Sequence, residues 1–133
     1  MTRSQEREQA FILLFEKSFN EDVLPERLIE LSLDSEVTEK SDFTSELFLT
    51  ACEHQSDADE IIGRYAKGRS FSRISKVSLA VLRLAVTEIK FIEGIPSGVS
   101  INEAVELCKK YASEDEYSYV NGILGSIVKD EAK

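Results

Sequence analysis

The stretch Lys76-Val77-Ser78-Leu79-Ala80-Val81-Leu82-Arg83-Leu84-Ala85-Val86-Thr87-Glu88-Ile89-Lys90-Phe91 decides the fold. Its apolar residues fall on nearly every side of a helical wheel, interrupted only by Arg83 and Glu88 among the ionisable residues inside its ends. A surface helix carries one apolar stripe, whereas a helix that is apolar all round is enclosed by protein. The stretch therefore predicts a central helix with other elements packed on several of its sides.

Downstream, Gly94, Pro96 and Gly98 break that helix. Ser100-x-x-Glu103 then reads as a capping box opening a helix with Ile101, Ala104, Val105, Cys108 and Tyr111 turned inward. Ser113-x-x-Glu116 repeats the signal for a last helix that buries Val120, Ile123, Leu124, Ile127 and Val128. In it Gly122 and Gly125, three apart, are placed to bring a neighbouring backbone close. Upstream, Thr2 and Gln5 form another capping box, and Ala10, Phe11, Leu14, Phe15 and Ser18 follow at helical spacing. This first helix is expected over Arg3 to Ser18, its opening turns exposing Arg3, Ser4 and Arg7. Pro25 suits a helix start, with Leu24, Leu28, Ile29 and Leu31 as a short stripe before the turn-like Asp34-Ser35-Glu36. Phe43, Leu47, Phe48 and Ala51 mark a third helix. Ser56 and Asp59 open a fourth, which carries Ile61, Ile62 and Tyr65 and ends near Gly68.

No alternating run of strand length competes with these helices. The expectation is an all-α protein of about seven helices. Short loops group residues of about 1–68 into an amino-terminal bundle and about 69–133 into a carboxy-terminal one, with the central helix packing against both.

The 133 residues fit one domain or two small subdomains sharing a core, and 42% hydrophobic with 31% charged residues excludes global disorder. The longest uncharged run, Tyr117 to Val128, falls well short of the roughly 20 apolar residues a membrane helix needs. The amino terminus, with acids among its bases and no apolar run before Ala10, does not read as a secretory signal, so a cytoplasmic protein is expected. Cys52, Cys108 and His54 are too few for a Cys/His metal cage, and no nucleophile sits in a recognisable motif with His54. No enzyme, cofactor, metal or small-molecule substrate is expected.

The net charge of −9 argues against nucleic-acid binding, but its distribution is uneven. Residues 21–60 hold 13 acidic and 2 basic side chains, while residues 61–90 hold 7 basic and 1 acidic. Arg64, Lys67, Arg69, Arg73, Lys76 and Arg83 form a basic tract without an acid between Ile61 and Thr87. A polarised surface is expected, with the acidic tract read as a solvated face.

The run from Lys76 to Ile89, then Ile95-Pro96, Ser100-Ile101-Asn102-Glu103-Ala104-Val105-Glu106-Leu107 and Tyr119-Val120-Asn121-Gly122-Ile123-Leu124, resembles the carboxy-terminal half of the NusB family of bacterial transcription antitermination factors. The likeness covers residues 73–128. Arg7-Glu8-Gln9-Ala10 and Leu14-Phe15 match the family's first helix more loosely. The resemblance implies two helical subdomains packed roughly perpendicular and a function without catalysis. It implies pairing with NusE, a ribosomal small-subunit protein, and joint binding of boxA-type single-stranded leader RNA. Other Nus factors and RNA polymerase complete the implied complex, which supports transcription of ribosomal RNA operons.

For RNA, Arg3 and Arg7 at a helix amino terminus would add charge to N–H groups that already favour phosphate. Tyr111, Tyr117 and Tyr119 offer rings for base stacking, and Asp115 and Tyr119 match positions near the family's RNA surface. Asn102 and Asn121 are read instead as buried braces. For NusE, the resemblance points to Phe15, Arg69, Ser78 and Leu82. Where the family usually has adjacent arginines, this chain has Ser4, Gln5 and Glu6, so RNA binding by the chain alone should be weak and NusE-dependent. It also has Ser78 in place of a usual acid and Thr87 in place of a usual tyrosine. Two rival readings keep the fold: an accessory RNA-binding domain for an RNA methyltransferase, and an interaction module or homodimer without RNA binding.

Overall fold

The computed structural model describes residues 1–131. Seven α-helices follow in order: α1 (Arg3–Phe19), α2 (Pro25–Asp34), α3 (Asp42–Glu53), α4 (Gln55–Tyr65), α5 (Lys76–Phe91), α6 (Ser97–Tyr111) and α7 (Glu114–Glu131). A single 3₁₀ turn at Phe71–Arg73 leads into α5. No strand occurs among the described residues.

The expected central helix is α5, which packs on α1, α3, α4, α6 and α7. Val81, Leu82 and Val86 are fully buried on it, and around them Phe11, Phe48, Ile62, Cys108 and Leu124 close one continuous core. Burying one such aliphatic side chain contributes about 2 kcal/mol, which is why a helix without a polar face is stable only at this central position. On one side of α5, α1 pairs with α3; on the other, α6 pairs with α7.

Several helix ends follow the expected chemistry. Thr2 and Gln5 form the reciprocal capping box, at 3.1 Å and 2.7 Å. Ser41 caps α3 and Ser75 caps α5. Others differ. Helix α6 opens at Ser97, after Pro96, so Ser100 lies in its first turn and its buried hydroxyl donates instead to Glu88. Helix α4 opens at Gln55, directly behind His54, which also ends α3 and stacks on Phe91 at 3.9 Å. Gly122 and Gly125 are exposed, with nothing within 4 Å of a Cβ at either, so they admit no close backbone. Asn102 and Asn121 are also exposed, which removes the expected buried bracing role. Both cysteines are free, and burial pushes their thiols up to about 11. Among the described residues, no helix is long and apolar enough to cross a membrane.

Candidate nucleic-acid interface

Arg3 and Arg7 lie one turn apart on α1, and the structure gives them opposite surroundings. Arg7 is only 5% exposed, so its expected exposure at the surface is corrected. Its Nε donates to both carboxylate oxygens of Glu88, at 2.9 Å and 2.8 Å, and its Nη2 lies 2.8 Å from Glu88 Oε1. The Ser100 hydroxyl donates to the same carboxylate at 2.8 Å, and Glu103 stands 3.7 Å from Nη1. Glu88 is buried in the last turn of α5, where an unpaired carboxylate would be strongly destabilising; Arg7 is the cation that satisfies it. The group ties α1, α5 and α6 together.

Arg3 stays in solvent, with its side chain 57% exposed. Its guanidinium rests 4.1 Å over the Phe43 ring and 3.4 Å from Glu6. Beside it, Ser4, Gln5 and Glu8 of α1 face Glu103, Leu107 and Lys110 of α6 across an open groove of about 500 Å³. At the far end of this groove the α6–α7 corner meets α1. The Tyr111 ring packs 4.9 Å from Phe11, its hydroxyl donates to Glu8, and Lys110 Nζ lies 2.6 Å from the same carboxylate. Tyr111 is thus at the groove's edge, 38% exposed, and not turned inward. Hydrogen bonds from Lys110 and Tyr111 hold the Glu8 carboxyl below its ordinary value, while partial burial and Glu8 raise the Tyr111 phenol. Lys109 sits 5.3 Å over the half-buried Tyr117 ring, and Asp115, two residues earlier in the first turn of α7, is exposed.

Tyr119 belongs to a second face. Arg69 lies 3.9 Å over its ring and pairs with Glu116 at 3.1 Å. Glu116 also accepts from Ser75 at 3.1 Å and Ser78 at 2.8 Å. Burial opposes its ionisation, yet these bonds and Arg69 outweigh that and hold the carboxyl below its usual range. The Glu116 side chain therefore turns to the start of α5 and not back onto its own helix. It also brings an acid from α7 to Ser78, where an acidic residue is missing from α5. Phe15, half-buried, continues this side of α1 toward the exposed Phe19, whose ring has Lys76 at 5.1 Å. Ser78 and Leu82 are fully buried in the chain itself, so neither presents its side chain at the surface, a correction to the expected contact face.

The structure brings Tyr111 against α1 and Tyr117 beneath Lys109, leaves Arg3 over Phe43 and Asp115 exposed on α7, removes Arg7 into the core, and places Tyr119 with Arg69. Lys109, Lys110 and Phe43 join these residues unannounced by the sequence. Adjacent lysines in a last helical turn read as ordinary partners of the helix dipole, and nothing local distinguishes these two. Three of the six residues of the basic tract are paired: Arg83 with Asp59 at 2.8 Å and 2.9 Å, Arg64 with Glu60, and Arg69 with Glu116.

Known proteins resemble this chain in sequence and in fold. The sequence profile of the NusB family matches residues 4–129. The transcription antitermination protein NusB of Finegoldia magna is 38% identical over 130 residues, covering 97% of this chain and 95% of that protein. The solved structure of T. maritima NusB superposes with a TM-score of 0.89 at 36% identity, over 100% of this chain and 94% of that one. A solved structure of antitermination factors NusB and NusE in complex with double-stranded RNA gives a TM-score of 0.84 at 29% identity, over 96% of each chain.

Proposed function

The chain belongs to the NusB family, and from that premise we propose that it is a transcription antitermination factor that binds RNA together with a NusE protein. The finer reading is boxA-type leader RNA of ribosomal RNA operons, within a complex that includes other Nus factors and RNA polymerase. The observation that carries the proposal is the meeting of Lys110 and Tyr111 with Glu8 and Phe11 of α1, about a hundred residues away in the chain, with Lys109 over Tyr117 beside them, on a fold whose solved relative holds RNA and NusE.

The chemistry suits an RNA strand that keeps some bases unpaired. The first N–H groups of α1 and the Arg3 guanidinium offer phosphate contacts, and Tyr111 and Tyr117 offer ring faces at the groove's other end. With Arg7 neutralised inside the core, the cations left are few, and Lys109 and Lys110 are each shared with a glutamate. Binding by the chain alone is therefore weak, and NusE supplies the remaining affinity. Its contact face is proposed along Phe15, Phe19, Lys76 and Arg69, with Ser78 and Leu82 as support beneath it.

The test is anisotropy of a labelled boxA-type RNA with this protein, with and without purified NusE, beside a scrambled RNA at equal salt. Selective binding strengthened by NusE is the expected result. No selective binding under either condition overturns it and favours an interaction module that lacks RNA binding.

A further inference from the structure

One groove of the surface combines exposed apolar side chains with an acidic rim. Helices α1 and α2 enclose a cleft of about 340 Å³ with Leu13, Leu28 and Val23 toward its floor and Ile12, Leu31 and Val37 along its sides. Past Ile12 and Val37 it continues into a second hollow of about 440 Å³ between Met1, Gln9 and Glu39. Met1, Leu31 and Val37, three of the large apolar side chains left exposed by the fold, all lie along this one groove. Carboxylates Glu8, Glu16 and Glu39 line it, and no lysine or arginine side chain does.

The wall is built rigidly. Gln9 clamps the backbone of Glu39 by both its amide groups, at 2.6 Å and 3.1 Å, and Ser32 bonds Thr38 at 2.7 Å. Helix α2 ends in a Schellman arrangement, with Val37 N–H bonded to Ser32 C=O and Glu36 N–H to Leu33 C=O. Its left-handed position, φ 60°, is held by Glu36 where glycine is usual, at a cost of about 1 kcal/mol. The residue after it normally packs back onto its own helix; Val37 is instead 57% exposed at the lip of the groove.

We propose that this groove is a docking site for a basic amphipathic helix of a protein partner. Apolar side chains one and two turns apart would enter between Ile12, Leu31 and Val37, and flanking lysines or arginines would meet Glu16 and Glu39. The groove follows α1 from Met1 to Asn20, a length of roughly 25–30 Å that accommodates about five helical turns. The second hollow shares Gln5 and Glu8 with the groove of the proposed RNA face, but the cleft between α1 and α2 that takes the apolar side chains has none of that groove's residues, and the proposal does not depend on that reading.

The test uses the full chain and a synthetic helical peptide of leucine and lysine with one apolar face. Controls are a scrambled peptide of equal composition and one with glutamate for lysine. The expected result is methyl shifts in NMR spectra confined to Ile12, Leu31 and Val37 and their neighbours, with neither control binding. Val37→Asp, alone and with Leu31→Asp, should weaken the peptide about tenfold at an unchanged thermal midpoint. Glu16→Gln with Glu39→Gln should weaken it several-fold and flatten its salt dependence. Equal binding of the scrambled peptide, shifts elsewhere on the molecule, or unchanged affinity in the folded variants would overturn the proposal.

Discussion

Arg3 and Arg7 differ by one turn of the same helix, yet the first is a solvent-facing cation over an aromatic ring and the second belongs to a buried ion pair. The difference lies in what stands opposite. Glu88 projects from an otherwise apolar helix and draws Arg7 inward, whereas Arg3 faces Phe43 and water. A charged residue in a family-like motif is therefore a ligand contact or a brace according to its tertiary partner, and its spacing along the helix does not separate the two.

The largest effect should come from the buried pair. Glu88→Ala leaves Arg7 buried without its main partner and should cost about 3–5 kcal/mol, read as a lower denaturant midpoint. A midpoint near wild type would dissolve the contrast. On the candidate RNA face, Tyr117→Ala should cost about 1–3 kcal/mol of RNA binding if a base stacks there, while Tyr117→Phe keeps affinity. Equal losses from both would assign Tyr117 a hydroxyl contact instead. Arg3→Gln should weaken RNA several-fold and lower the salt slope by about 0.7, with the fold's stability unchanged.

The cluster of Arg69, Glu116, Ser75 and Ser78 is intermediate, partly buried and multiply bonded, and it gives the smallest effect. Glu116 titrates lower in the folded chain than in the unfolded one, so its contribution is present above the ordinary carboxylate range and is lost as pH falls through the folded value. Glu116→Gln should reduce the acid-side fall in stability over that window and leave the slope at neutral pH unchanged. Comparing unfolding midpoints of the two proteins between pH 2 and 7, roughly the span of that titration, checks this.

Most of the fold was readable from periodicity. The all-apolar run at Lys76–Phe91 has the bounds of α5 itself, because nothing but a central helix suits such a run and Ser75 caps it. The start of α6 was less readable, since Ser100-x-x-Glu103 fits a capping box while the structure spends both side chains on the Arg7–Glu88 group. Glu88 itself was the available signal: a carboxylate in a central helix must find a cation, though the sequence does not say which. Lys109 and Lys110 were not legible as part of a surface, because only the packing of Tyr111 on Phe11 brings them beside α1.

The most direct test compares RNA binding, with NusE present and salt fixed, for Arg3→Gln and for the double variant Arg7→Met with Glu88→Leu. Replacing both members of a buried pair by apolar residues of similar size often preserves the fold. We predict wild-type affinity for the folded double variant and a several-fold loss for Arg3→Gln. A folded double variant that loses RNA as Arg3→Gln does would place Arg7 on the RNA and contradict the division between the two arginines.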